Sequence, residues 1–98
     1  MVNEPQLSGN EKKYINECID TGWISSEGPF VQKFEKQLAD FVGRNYATAC
    51  TSGTAAIDIA VSALKLQEGD EVIMPSFTII SCAQALTKLG IKPILVDC

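Results

Sequence analysis

Apolar positions in the first part of the chain recur at helical spacing. Tyr14, Ile15, Cys18 and Ile19 make one stripe, and Ser8-Gly9-Asn10-Glu11 ahead of them has the S-x-x-E form of a capping box. Gly22 is a natural stop. Phe30, Phe34, Leu38 and Phe41 then fall four, four and three residues apart, behind Pro29 at a first-turn position and ahead of Gly43. Lys33, Glu35, Lys36 and Asp40 read as the solvated face of that second helix. The piece between the helices, Trp23-Ile24-Ser25-Ser26-Glu27-Gly28, has no periodicity.

From Tyr46 onward the pattern changes. Short apolar runs at Tyr46–Cys50, Glu71–Met74 and Pro93–Val96 alternate with helical stretches at Ala55–Leu66 and Thr78–Leu89. Gly69-Asp70 and Gly90 punctuate the joins. Strand–helix–strand–helix–strand predicts an α/β domain with a parallel sheet and right-handed crossovers. Residues 1–45 are thus a helical segment and residues 46–98 the first part of an α/β domain. Strands without polar alternation are expected to be covered on both faces. Two amphipathic and two crossover helices must do this, and the last strand ends at Asp97-Cys98. The expectation is therefore a part of a larger domain, molten or aggregated when expressed by itself.

Composition narrows the function classes. Over 98 residues, 46% hydrophobic and 20% charged is ordinary globular chemistry. A net charge of −4 with no Lys/Arg cluster argues against nucleic acid or an anionic membrane as partner. The apolar runs are too short to span a bilayer and no signal-peptide core is present, so a cytoplasmic location is expected. Cys18, Cys50, Cys82 and Cys98 have no C-x-x-C spacing and histidine is absent, which disfavours a metal site and removes Ser-His or Cys-His pairs. The cysteines are expected to be buried, reduced thiols.

Candidate chemistry concentrates at Thr51-Ser52-Gly53-Thr54-Ala55-Ala56, where the first strand meets a helix. A helix start presents unpaired N–H groups and the positive end of the macrodipole. Gly53 permits close backbone approach, and Ser52 and Thr54 add hydroxyls, which together suit a phosphate. Plain helix capping by Ser or Thr is the competing reading. Pro75-Ser76-Phe77-Thr78 is expected at the same carboxyl edge of the sheet, where α/β folds bind ligands.

These segments, in this order, resemble the N-terminal part of the DegT/DnrJ/StrS family of pyridoxal-phosphate-dependent nucleotide-sugar aminotransferases. The resemblance rests on Gly22-Trp23-Ile24-Ser25-Ser26 with Phe34-Glu35, Ser52-Gly53-Thr54-Ala55-Ala56, and Gly69-Asp70-Glu71-Val72-Ile73. It continues through Pro75-Ser76-Phe77-Thr78 and Gly90 with Pro93 and Asp97, so it covers essentially the whole chain. Within the family the chain is most similar to members that aminate a GDP-linked 4-keto-6-deoxy sugar.

The resemblance implies the large domain of a fold-type-I aminotransferase, pyridoxal 5'-phosphate as cofactor, and a homodimer. It implies amino transfer, typically from glutamate, to a nucleotide-linked keto sugar for surface polysaccharide or glycan synthesis. Ser52, Gly53 and Thr54 match the phosphate contacts. Ile79 matches the position that covers the pyridine ring, where the family usually has an aromatic residue. The Schiff-base lysine and the aspartate facing the pyridinium nitrogen match no residue here. Lys12, Lys13, Lys33, Lys36, Lys65, Lys88 and Lys92 read as surface lysines, so no catalytic residue is assigned. Two alternatives stay open: a sugar dehydratase of the same family, with histidine in place of that lysine, and a non-catalytic α/β module that binds a phosphate-bearing ligand. Trp23, in a loop that the family places near the active-site entrance, is expected to plug the space between the first helices and the sheet.

Overall fold

The computed structural model describes residues 4–98. The chain divides into two compact units, Met1–Thr48 and Ala49–Cys98.

The first unit holds α1 (Glu11–Thr21) and α2 (Pro29–Phe41). The capping box is not formed as expected. Helix α1 begins at Glu11, so Asn10 rather than Ser8 is the N-cap residue, and its side chain makes no capping bond. A box needs its glutamate at the third helical position. As the first helical residue, Glu11 instead accepts the Gly9 N–H at 2.9 Å. Gly22 ends α1 in the left-handed conformation, as the sequence predicts. Pro29 opens α2. Past its end, the N–H groups of Gly43 and Arg44 donate to the carbonyls of Asp40 and Ala39 at 3.3 and 2.9 Å, the paired bonds of a Schellman turn.

Side-chain contact within this unit centres on Tyr14 and Phe30, whose ring centroids lie 5.3 Å apart at a tilt of 53°. Phe34, Leu38 and Phe41 remain exposed. Trp23 is 49% exposed. A Cβ on Gly28 would lie only 3.4 Å from Trp23 Cβ, so the indole packs over the turn that leads into α2.

The second unit runs α3 (Gly53–Ala63), β1 (Glu71–Pro75), α4 (Ser81–Thr87) and β2 (Lys92–Val96). Strands β1 and β2 pair in parallel, with Ile73 opposite Ile94 and Met74 opposite Leu95. These are the expected second and third runs, in the expected parallel arrangement. The first run is the correction: Tyr46–Cys50 is not a strand, and the sheet has two members rather than three. A strand exists through its ladder, and the β-favouring side chains of this run do not create one.

The helices are also shorter than the apolar periodicity suggests. Helix α4 starts at Ser81 rather than Thr78, and α3 ends at Ala63 rather than Leu66. At the far end of α4 the N–H groups of Gly90 and Ile91 donate to the carbonyls of Thr87 and Leu86, both at 3.1 Å. This Schellman turn drives Ile91 back onto Leu86, and with Met74 they form the core. Val61, Leu66, Val72, Cys82 and Ala83 pack around it. Gly90 is required here: its φ is +70°, and a Cβ would meet the Glu68 Cγ at 2.8 Å.

Cover on both sheet faces, which the apolar runs predict, is not achieved among the described residues. Ile73 is 72% and Leu95 61% exposed, on opposite faces of the ladder. Helix α3 buries none of its residues although Asp58 is its only charged side chain. Helices apolar all round are built to be enclosed. The cysteines likewise depart from expectation: Cys18 and Cys82 are half-buried and Cys50 and Cys98 exposed.

Lys92 and Glu71, directly opposite in the register, pair at 2.8 Å. The hydrogen bond to Glu71, then its charge, raises the Lys92 pKa above the usual lysine value. The sign is that of a base stabilised in its charged form. Any contribution is complete below the ordinary lysine range and is lost as pH rises through it. Exposed pairs contribute little.

The turns give a test with opposite signs. Gly90→Ala should lower unfolding stability by at least about 1–2 kcal/mol, the cost of a left-handed L-residue. Lys65, the one non-glycine with positive φ among the described residues (54°), closes α3 in the same conformation. Lys65→Gly should be neutral or stabilising by up to about 1 kcal/mol. Denaturant titration of both variants, in the protein that carries this segment, measures the pair.

Candidate cofactor-phosphate site

Two helix starts meet in the second unit. Ser52 is the N-cap of α3 in an extended conformation, and its hydroxyl accepts the Ala55 N–H at 3.2 Å. Its carbonyl accepts the Ala56 N–H at 3.0 Å. The capping reading of Ser52 is therefore correct for its side chain. It does not use up the helix start. The N–H groups of Gly53 and Thr54 precede the first intrahelical donor, the Ala56 N–H, and point out of the helix end. A Cβ built on Gly53 has no neighbour within 4 Å, so the approach to these donors is open.

Thr54 adds the link to α4. Its Oγ1 lies 2.9 Å from Ser81 Oγ, and either atom has the geometry to donate. Ser81, the first residue of α4, is 7% exposed, whereas Thr54 is exposed. Just past the end of α4, Lys88 Nζ pairs with Asp58 Oδ2 of α3 at 2.8 Å. These two contacts tie α4 to the first half of α3. The positive end of the α3 dipole favours an anion there.

The structure thus brings Ser52, Gly53 and Thr54 together with the loop that leads into α4. Ile79 lies in that loop, two residues before Ser81, with its carbonyl accepting the Cys82 N–H at 3.2 Å. Its side chain is 65% exposed. Thr78 Oγ1 is 3.9 Å from Cys82 Sγ, a contact within the same turn.

Sequence reasoning missed Ser81. Assigning the helix from Thr78 places Ser81 inside it, where a serine is unremarkable; recognising Ser81 as the helix start would have marked it. All seven lysines are exposed, in agreement with the reading of them as surface residues. No cluster of metal-ligating side chains exists among the described residues.

Comparison with known proteins agrees with this architecture. Residues 5–98 match the DegT/DnrJ/EryC1/StrS aminotransferase family. The chain is 49% identical over 96 residues to a GDP-perosamine synthase of Caulobacter vibrioides, and 43% identical over 96 residues to one of Vibrio cholerae. Each match covers 98% of this chain and 26% of the relative, so the chain spans about a quarter of their length. A solved GDP-4-keto-6-deoxymannose-3-dehydratase with a trapped PLP-glutamate geminal diamine superposes with a TM-score of 0.82 at 28% identity. That match covers 97% of this chain and 27% of the dehydratase.

The hydroxyl pair has a measurable energetic consequence. Thr54→Val should leave the buried Ser81 hydroxyl without its partner and lower stability by about 1–3 kcal/mol, whereas Thr54→Ser should cost less. Adding Ser81→Ala to Thr54→Val should recover part of the loss, read by denaturant unfolding of the three variants. With α3 and α4 in contact at their starts and residues 5–98 matched throughout, the chain belongs to the DegT/DnrJ/EryC1/StrS aminotransferase family.

Proposed function

We propose that this chain forms the phosphate-binding end of a pyridoxal-phosphate-dependent sugar aminotransferase. The observation that carries the reading is the paired start of α3 and α4, with Gly53 and Thr54 N–H groups open beside the Thr54–Ser81 hydroxyl contact at 2.9 Å. Two outward N–H donors, a threonine hydroxyl and the positive end of α3 are a donor set suited to a phosphate dianion. The residues present therefore fit the cofactor's phosphate. Ser52 orders the helix start through its cap and leaves the donors free. The exposed Ile79 gives an apolar surface for one face of the pyridine ring, by dispersion rather than ring stacking. Residues 46–98 would then be the first part of the cofactor-binding large domain.

When bound, the cofactor supplies an electron sink that stabilises a carbanion at the reacting carbon. The part played by this chain is to bind and orient. Gly53 and Thr54 would hold the phosphate and so anchor the ring. None of the exposed lysines here takes part. We further propose glutamate as amino donor, a GDP-linked 4-keto-6-deoxy sugar as acceptor, a homodimer as the working form and the cytoplasm as its location. The 43–49% identity to GDP-perosamine synthases supports the substrate assignment. None of the described helices is long and apolar enough to cross a membrane.

The similarity to a solved 3-dehydratase favours a second reading, in which the same cradle serves loss of the 3-hydroxyl. The product separates the two. The protein that carries this segment, given pyridoxal phosphate, 15N-glutamate and GDP-4-keto-6-deoxymannose, should return a sugar nucleotide that contains 15N. An unlabelled 3-deoxy product would establish the dehydratase instead, and recovery of unchanged substrate would defeat both. A separate measurement addresses Ile79. Ile79→Tyr should tighten cofactor binding by a few-fold, since aromatic pairs contribute roughly 0.5–1.5 kcal/mol beyond burial.

A further inference from the structure

We propose that Ser81 is a positioning residue of the phosphate cradle: its buried hydroxyl donates to Thr54 Oγ1 and thereby commits the Thr54 proton to the bound phosphate. The inference rests on the cradle reading above and assigns a role to a residue that does not itself contact the ligand.

The polarity follows from burial. In a hydroxyl pair one proton lies between the oxygens and the other points away. The 2.9 Å geometry alone permits either arrangement. The surroundings of the two oxygens differ. Ser81 is 7% exposed, and Thr54 Oγ1 is the only hydrogen-bond partner of its hydroxyl among the described residues. If Thr54 donated, the Ser81 proton would be buried with no acceptor, which is costly. If Ser81 donates, its proton is satisfied and the Thr54 proton faces the open side of the helix start. Thr54 is exposed, so water satisfies that proton until an anion replaces it.

This arrangement fixes three donors in advance: the N–H groups of Gly53 and Thr54 and the Thr54 hydroxyl. A threonine held this way presents hydrogen rather than a lone pair to the ligand, and no rotation is needed when the phosphate arrives. Donors oriented in advance bind charge without reorganisation. A Thr54 hydroxyl free to rotate would lose part of that advantage, and it would lose it only toward a ligand that carries phosphate.

The ligand comparison tests this directly. The apo form of the protein that carries this segment is titrated by absorbance with pyridoxal phosphate and, separately, with pyridoxal, which lacks the phosphate. Ser81→Ala should raise the Kd for pyridoxal phosphate by about 3- to 10-fold, the range of one modest hydrogen bond, and leave the Kd for pyridoxal within about two-fold. Ser81→Cys, which keeps the side chain's size but donates weakly, should show the same selective loss and serves if the alanine variant folds poorly. On a Thr54→Val background, Ser81→Ala should add nothing. Equal weakening of both ligands would show that Ser81 only supports the fold, and undiminished phosphate affinity in both Ser81 variants would overturn the proposal. If Thr54→Val alone left pyridoxal phosphate affinity unchanged, the cradle reading itself would fall; a loss at Thr54 without one at Ser81 would refute only the positioning role.

Discussion

The parallel pairing of β1 with β2 is the constraint on which the second unit depends. Parallel neighbours cannot be joined by a tight turn, so the chain must leave the end of β1, cross a face of the sheet and return. Helix α4 is that crossover. Its direction is set by the ladder, and its end is fixed by the Schellman turn at Gly90, which returns Ile91 to Leu86 and Met74. With both ends determined, the start of α4 falls just past the carboxyl end of β1, and Ser81 is placed where Thr54 reaches it. The candidate site is thus a consequence of the crossover geometry rather than of any single motif.

The energetic character of the two ends of this unit differs. Around Met74, Leu86 and Ile91, stability comes from apolar burial, which is non-directional. At the helix starts, the contacts are polar and directional: the Ser52 cap, the hydroxyl pair, and N–H groups with no acceptor in the helix. An anion seated there would satisfy donors that otherwise face water. Ligand binding would therefore stabilise the folded state as well as serve chemistry.

Much of this was legible in the sequence. Strands β1 and β2, their parallel direction, helix α3, the crossover helix α4 and the glycine stops followed from periodicity and punctuation. Ser52, Gly53 and Thr54 were legible because helix capping and phosphate binding draw on the same backbone donors. The strand at Tyr46–Cys50 was misread because residue type reports propensity, whereas a strand also needs a neighbour in the ladder. Glu11 deceived in a similar way: its spacing from Ser8 fits a capping box, but the helix begins two residues later than the box requires. Ser81 was missed because reading the helix from Thr78 hid it as a helix start, and its partner is 27 residues away in sequence. The exposure of Ile73, Leu95 and Ile59 matches the expectation that this segment by itself leaves apolar faces uncovered.

The central claim, that the start of α3 holds a cofactor phosphate, is tested most directly by a crystal structure of the protein that carries this segment, with pyridoxal phosphate bound. The account predicts phosphate oxygens within hydrogen-bond distance, about 2.7–3.2 Å, of the Gly53 and Thr54 nitrogens and of Thr54 Oγ1. A phosphate seated on other donors, with the start of α3 facing only solvent, would contradict it.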